Sequence, residues 1–251
     1  MINSSKKMHL IGLEEFFKIL KYDYLKDFEK IKEICRLTKT RTNDQLNEIN
    51  MPYGSEQPFL IKALVKKINA RNFFEIGTGR GTASYSVALE KSIELIVTID
   101  KIPHFYRQKT SIGYKPIKIS QRGINKLITF EEKEKIKFFH VSQKQYLKTF
   151  YKNNFDIAFI DGNHTNKRII KNDIKFSLNI LKNNGLLIFD DYENNNNKNK
   201  KFSVGEVVDE FLCENNYYKY LIEFRGHLFE KTRKENNTGI LIVSPYDFLA
   251  S

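Results

Sequence analysis

The stretch Phe73-Phe74-Glu75-Ile76-Gly77-Thr78-Gly79-Arg80-Gly81-Thr82 constrains this chain more than any other. Phe73, Phe74 and Ile76 are apolar, as in a strand covered on both faces by helices. Glu75 stands near the strand's C-terminal end. Gly77, Gly79 and Gly81 follow, and Ala83 to Leu89 can start a helix. Glycines in that place allow a tight turn and let a ligand approach the backbone. The next apolar run, Leu95 to Ile99, ends on a second acid, Asp100. In an open parallel sheet, ligands bind beyond the carboxyl ends of the strands. A carboxylate at the second strand end can accept both hydroxyls of a ribose. The pattern predicts a nucleoside-like cofactor.

A dinucleotide fingerprint, G-x-G-x-x-G, would place its third glycine at position 82, which is Thr82. The pattern here is E-x-G-x-G-x-G, and it resembles motif I of the class I methyltransferases that use S-adenosylmethionine (SAM). SAM has no pyrophosphate, so it does not need the helix N-terminus as an anion site. The resemblance implies SAM as the cofactor. An NAD-dependent oxidoreductase and an ordinary βα turn are the competing readings.

At 251 residues the chain is long enough for one full domain with an appendage. No apolar run approaches the roughly 18 residues needed to span a bilayer. The first residues, Met1 to Met8, lack a signal-peptide apolar region. Cys35 and Cys213 show no metal or disulfide spacing. These features predict a soluble, cytoplasmic protein without a membrane span. The net charge of +12 raises nucleic acid as a partner. The lysines are scattered among Asn and Ile, which reads as compositional bias rather than a patch, so nucleic acid is the disfavoured partner.

From Ile11 to about Thr38, 3.6-like apolar stripes predict one or two amphipathic helices. Their apolar faces pack on the core or on a second copy of the chain, so a homo-oligomer through these helices is one of two outcomes. Residues 1–50 are therefore read as an N-terminal helical extension and 51–251 as the cofactor-binding domain. Pro58 suits the first turn of a helix running to about Ile68, and the loop before it is placed to fold over the cofactor. Lys101 to Lys126 is longer than a βαβ crossover requires and rich in basic and aromatic residues, as in a substrate loop or a surface insertion. Thr129 to Glu134 reads as a short helix. Strands are expected at Lys137–Val141, Phe155–Ile160, Leu186–Phe189, Tyr217–Phe224 and Gly239–Val243. Helices are expected at Lys167–Leu181, ended by Asn183, Asn184 and Gly185, and at Val204–Leu212. The Asn/Lys-rich run Glu193 to Lys201 reads as a loop.

Alternating strands and helices predict an α/β, Rossmann-like, doubly wound and mostly parallel seven-stranded sheet. The last two strands lack a long helix between them, which predicts an antiparallel C-terminal edge strand.

A second constellation follows. Asp161 and the pair Asp190-Asp191 each end a predicted core strand. If those strands are neighbours, about 4.8 Å apart, the acids meet at the same sheet edge as the glycine loop. Three carboxylates that close repel one another. A hard divalent cation relieves this, and Mg²⁺ can lower the pKa of a substrate hydroxyl. His164, three residues past Asp161, is the candidate base for that hydroxyl proton. Hydroxyl, metal, base and SAM together specify O-methylation. Successive strand residues point to opposite faces, so Asp190 and Asp191 converge only if the strand is interrupted there. Asp161 or Asp191 as a helix cap, and His164 as a surface residue, are the alternatives.

From Met51 to Tyr192 the chain resembles the metal-dependent class I O-methyltransferases. Met51-Pro52-Tyr53-Gly54, with Ser142-Gln143 after the third strand, is similar to the catechol O-methyltransferase branch. That resemblance implies Met51 at the methyl-transfer site, the backbone near Tyr53 at the SAM carboxylate, and Ser142 and Gln143 at the adenine. The runs Ile160-Asp161-Gly162-Asn163-His164 and Phe189-Asp190-Asp191-Tyr192 look more like the macrocin-type sugar O-methyltransferases. There the acids bind Mg²⁺ and a histidine in the place of His164 serves as base. The implied cofactor residues are Tyr53, Glu75, Gly77, Thr78, Gly79, Gly81, Asp100, Ser142 and Gln143. The implied metal ligands are Asp161, Asp190 and Asp191, with His164 and Asp161 catalytic. The catechol branch carries Asp-Asn where this chain has Asp190-Asp191, and a lysine base. Lys101 to Lys126 matches neither branch. The expected acceptor is a hydroxyl of a small molecule, a sugar or glycan precursor. A nucleic-acid methyltransferase and a non-catalytic SAM-fold binding protein are the rivals. An amino-methylating enzyme is expected to carry a D/N-P-P-Y-like motif where Asp161-Gly162-Asn163-His164 stands.

Overall fold

A computed structural model describes residues 8–38, 56–103, 108–110, 113–115, 121–147, 154–193, 203–213, 215–223 and 238–250. The chain begins with strand β1 (Met8–Gly12), then helices α1 (Leu13–Ile19), α2 (Leu25–Leu37) and α3 (Glu56–Lys67). Strand β2 (Asn72–Ile76) leads through the glycine loop into α4 (Thr82–Ala88), and β3 (Leu95–Ile99) follows. Next come a small pair, β4 (Gln108–Thr110) and β5 (Gly113–Lys115), then α5 (Gln121–Leu127) and α6 (Phe130–Glu134). The remaining elements are β6 (Ile136–Phe139), α7 (Gln143–Leu147), β7 (Phe155–Ile160), α8 (Lys167–Ile180), β8 (Leu181–Glu193), α9 (Val204–Cys213), β9 (Tyr218–Glu223) and β10 (Thr238–Ser244).

Continuous apolar strands need cover on both faces, and they receive it. Phe73, Ile157, Phe159 and Ile188 point towards the side packed by α1 to α4. Their neighbours Phe74, Ala158, Ile160 and Leu187 point towards the side packed by α8 and α9. Among the described residues the large sheet has eight strands in the order β1-β9-β10-β8-β7-β2-β3-β6. The order in which strands are added reverses between the parallel neighbours β2 and β7. That reversal opens a crevice at their carboxyl ends, the place where such sheets bind ligands.

The expected doubly wound, mostly parallel sheet is present, with β10 antiparallel to both β8 and β9. Two details differ from the sequence reading. Strand β1 precedes the segment expected to be helical and takes its first two residues, Ile11 and Gly12; it pairs in parallel with β9 and adds an eighth strand. Only Ile11 of its five residues is buried, so no alternation announced it, and the open edge of β9 supplies its hydrogen bonds. The second detail concerns Asn183, Asn184 and Gly185, which do not cap α8. Leu181 is already extended, and the three residues belong to an irregularity in β8, where the pairing with β7 jumps from Phe155–Leu181 to Ile157–Leu186.

Two helix starts are capped by side chains. Thr129 caps α6 through a capping box with Glu132. Asn166 caps α8, its side chain accepting from the Ile169 N–H at 3.2 Å. At the end of α2 the Thr38 hydroxyl meets the Thr82 hydroxyl at 2.9 Å. The N-terminal helices therefore touch the first residue of α4 directly. No helix among the described residues is long and apolar enough to cross a membrane.

Candidate active site

The glycine loop is shaped by close approach. Gly77 has φ +96°, and a Cβ there would overlap the carbonyl oxygen of Asp161. The Gly77 N–H donates to the Ile99 carbonyl at 2.9 Å, and the Asp161 N–H donates to the Ile76 carbonyl at 2.8 Å. The ends of β2, β3 and β7 are thus laced together where the site begins. Gly79 and Gly81 also have positive φ, 54° and 80°, and Gly81 starts α4.

Glu75 is placed differently from the sequence expectation. It is buried on the α4 side, where its Oε2 accepts from Ser84 Oγ at 2.7 Å and from Thr98 Oγ1 at 2.6 Å. Thr78 Oγ1 joins the same group, 2.6 Å from Thr98 Oγ1. Glu75 and Thr78 therefore brace the loop against β3 and α4, and neither lines the cavity below. A carboxylate that accepts two hydroxyl hydrogen bonds is tolerated at that depth, since its polar atoms are engaged.

A cavity of about 180 Å³ lies at the carboxyl ends of β2 and β3, with Gly77, Ile99, Asp100, Val141, Ser142 and Asp173 in its wall. Asp100 is oriented there by the N–H groups of Gly79 (3.2 Å) and Ile102 (3.0 Å). The acid expected at the ribose thus stands at the cavity and is tied to the glycine loop. Ser142 also reaches the cavity. Its N–H and hydroxyl both donate to Gln145 Oε1 at 2.9 Å, so the S-x-x-Q spacing serves the start of α7 as well. Gln143 opens that helix, and its side chain lies outside the described residues, as do Tyr53, Met51 and the proposed lid before α3. Of Lys101 to Lys126, the structure describes 101–103, the β4–β5 pair and the start of α5.

The acidic constellation does converge, and a bulge makes it possible. Phe189 pairs with Leu241 and Tyr192 with Gly239, so Asp190 and Asp191 together stand opposite Ile240. Two residues against one interrupt the alternation of the strand. Asp191 has φ +50°, a left-handed conformation that aspartate tolerates better than most residues. Both acids can then reach the β7 end. Asp161 shares a hydrogen bond with Asp190. Burial, then the charges of Asp190, Asp191 and Glu75, and then that hydrogen bond hold the Asp161 carboxyl well above the usual carboxylate range. His164 sits between the acids, its Nε2 3.6 Å from Asp161 Oδ1 and its Nδ1 3.4 Å from Asp191 Oδ2. Its carbonyl accepts from the Ser203 N–H at 2.7 Å, which draws the approach to α9 to the same edge. Among the described residues, no three His, Cys, Asp or Glu side chains form a ready-made metal site.

Residues 74–192 match a family model described as a methyltransferase domain. They contain the glycine loop, Asp100, Asp161, His164, Asp190 and Asp191. Over those residues the chain is similar to a methyltransferase domain. The fold is shared with solved structures at low identity. The cofactor-bound Rv0187 from MTB is 14% identical, with a TM-score of 0.58 over 93% of this chain and 97% of that one. The O-methyltransferase from Bacillus cereus in complex with SAH is 15% identical, with a TM-score of 0.55 over 86% and 90%. The O-methyltransferase TomG from Streptomyces achromogenes, involved in tomaymycin synthesis and solved with SAM, is 14% identical, with a TM-score of 0.54 over 85% and 89%. At these identities the likeness is one of fold. No curated protein matches the chain in sequence.

The sequence analysis missed the buried acid of this cavity. Asp173 is 1% exposed and lies on the buried face of α8 beside Ile170 and Ile174. The available signal was a charged residue at a core position of an amphipathic helix.

Proposed function

We propose that the protein transfers the methyl group of SAM to a hydroxyl oxygen of a small molecule, a sugar or glycan precursor, with assistance from Mg²⁺. The observation that carries this reading is the convergence of Asp161, Asp190 and Asp191 around His164, at the same sheet edge as the Asp100 cavity.

The chemistry follows from the parts. In the transfer, the acceptor oxygen forms a bond to the methyl carbon as the carbon–sulfur bond breaks, and the sulfonium becomes the neutral thioether of SAH. The acceptor must lose a proton, and a neutral hydroxyl is a poor nucleophile. His164 is the base that takes it. Asp161 and Asp191, one near each ring nitrogen, orient the imidazole. In-line displacement rewards alignment, so much of the rate comes from positioning.

As placed the acids do not form a metal site, but they are oxygen donors of the kind a hard cation takes, and their mutual repulsion pushes the Asp161 carboxyl upwards. Asp161, Asp190 and Asp191 would hold Mg²⁺, which would supply positive charge to acidify the acceptor hydroxyl. The cofactor's ribose is assigned to Asp100 and its methionine part to the loop from Gly77 to Gly81. A cytoplasmic setting accompanies this reading, since Cys35 and Cys213 form no disulfide.

The test is SAM consumption across sugar nucleotides, phenols and RNA, with and without Mg²⁺. A sugar hydroxyl should be methylated only with the metal. Turnover confined to RNA would replace this reading with that of a nucleic-acid methyltransferase.

A further inference from the structure

Neither the glycine loop nor the acidic cluster accounts for Asp173. It is an acid 1% exposed, on the apolar face of α8, in the wall of the cavity that also contains Asp100. An aspartate facing inwards from a helix is costly unless its oxygens are engaged. It also replaces an apolar residue at a position where Ile170 and Ile174 show what packing alone would favour. Gly162 stands beside it, and a Cβ there would come within 3.6 Å of Asp173 Oδ2.

The cavity's chemistry suggests what the acid serves. Asp100 takes the ribose and the glycine loop the methionine part, so the base is left with the remaining wall. That wall is apolar at Ile102, Val141 and Ile169 and polar at Lys101, Ser142, Asn163 and Asp173. An apolar slot with a carboxylate in it suits a planar base that carries an exocyclic amine. We propose that Asp173 selects the adenine of SAM, with its carboxylate accepting a hydrogen bond from the N6 amine. This rests on the reading that the cavity holds the nucleoside end of the cofactor. Asp173 is thereby a specificity residue for the cofactor and takes no part in the transfer step.

Replacing the amine by a carbonyl tests the contact. S-inosylhomocysteine differs from SAH only at the base, where an acceptor oxygen replaces the N6 donor and would face the carboxylate, and where N1 becomes a donor on the adjoining edge. Calorimetric titration of both ligands into the wild-type protein should show SAH preferred by at least about tenfold, the scale of a hydrogen bond to a charged group. Asp173→Asn, whose amide can donate to the carbonyl, should narrow the preference to within about threefold. Asp173→Ser is the second variant should the first fail to fold. Equal affinity of the wild-type protein for the two ligands overturns the proposal, and so does a variant that keeps the full preference. A structure of the wild-type protein with SAH decides without any variant: N6 beyond hydrogen-bond distance of Asp173 rejects the contact. Absence of SAH from this cavity would instead reject the cofactor-site reading beneath it.

Discussion

Two of the partly buried charge clusters among the described residues are built differently. Around Lys62, one cation stands between two acids. Its Nζ is 2.6 Å from Asp27 and 3.5 Å from Glu90, with the Lys62 side chain only 4% exposed. The Tyr22 hydroxyl donates to Asp27 at 2.7 Å. Burial first, and then Asp27, push the Tyr22 phenol above its ordinary range, so it remains a donor. Around His164, three acids meet, Asp161, Asp190 and Asp191. The first cluster joins α2 to α3 and to the residues after α4, and its lysine bridges two acids. The second gathers like charges at the cavity edge. A bridging cation inside a protein locks a packing arrangement. Surplus charge costs stability and is retained where a ligand or a cation completes it.

The largest effect should come from the unbalanced cluster. Asp190→Asn is expected to lower methyl transfer by about 10²–10⁴-fold, the range seen for groups that handle a proton or its metal. SAH affinity, measured by calorimetry, should be largely kept, because Asp190 does not line the cofactor cavity. A parallel loss of SAH binding would merge the two sites and remove the distinction drawn above.

Next is Lys62→Met, which leaves Asp27 and Glu90 without their shared cation. Urea unfolding should show a loss of about 3 kcal/mol, the low end for breaking a buried pair, because both acids are partly exposed. A loss below about 0.5 kcal/mol would show the pair behaving as a surface salt bridge. The same unfolding assay separates the clusters by sign. Without added metal, Asp190→Asn should be more stable than the wild type by about 1 kcal/mol, since it removes a repelling charge. Destabilisation of that size would mean that the acids support one another through the Asp161–Asp190 hydrogen bond.

The smallest effect concerns an acid in a satisfied setting. Asp247 accepts from the Tyr220 hydroxyl at 2.7 Å, and this hydrogen bond first, then those from the Ala250 and Leu249 N–H groups, hold its carboxyl below the usual range. A depressed folded pKa adds stability above the unfolded value of 3.8, and that contribution is lost as pH falls through the folded value. Asp247→Asn should therefore be less stable than the wild type at neutral pH, with the gap closing below about pH 4. A gap that does not change with pH would assign the effect to packing.

What the sequence made legible was local. Phe73 to Thr82 announced a strand, a turn and a helix because apolar residues, glycines and helix formers follow one another directly. Asp100, Asp161, Asp190 and Asp191 could be placed because each ends an apolar run. What remained hidden depended on distant partners. Strand β1 forms because β9 has an edge to offer, and a segment with one buried residue in five carries no periodic sign of that. Glu75 looked like a ligand residue from its place beside the glycines, yet Ser84 and Thr98 draw it to the opposite side of the sheet. The convergence of Asp190 and Asp191 needed a bulge, and its only local hint is an aspartate able to take φ +50°. Asp173 was visible as a charge among isoleucines, but its meaning came only once the cavity was seen beside it.

The central claim is that the acids around His164 serve a metal-assisted transfer to oxygen. The most direct test is methyl transfer from labelled SAM to a sugar hydroxyl acceptor, measured with a chelator and again after Mg²⁺ is restored. This account predicts that transfer stops with the chelator and returns with Mg²⁺. Transfer that continues undiminished in the chelator would contradict it.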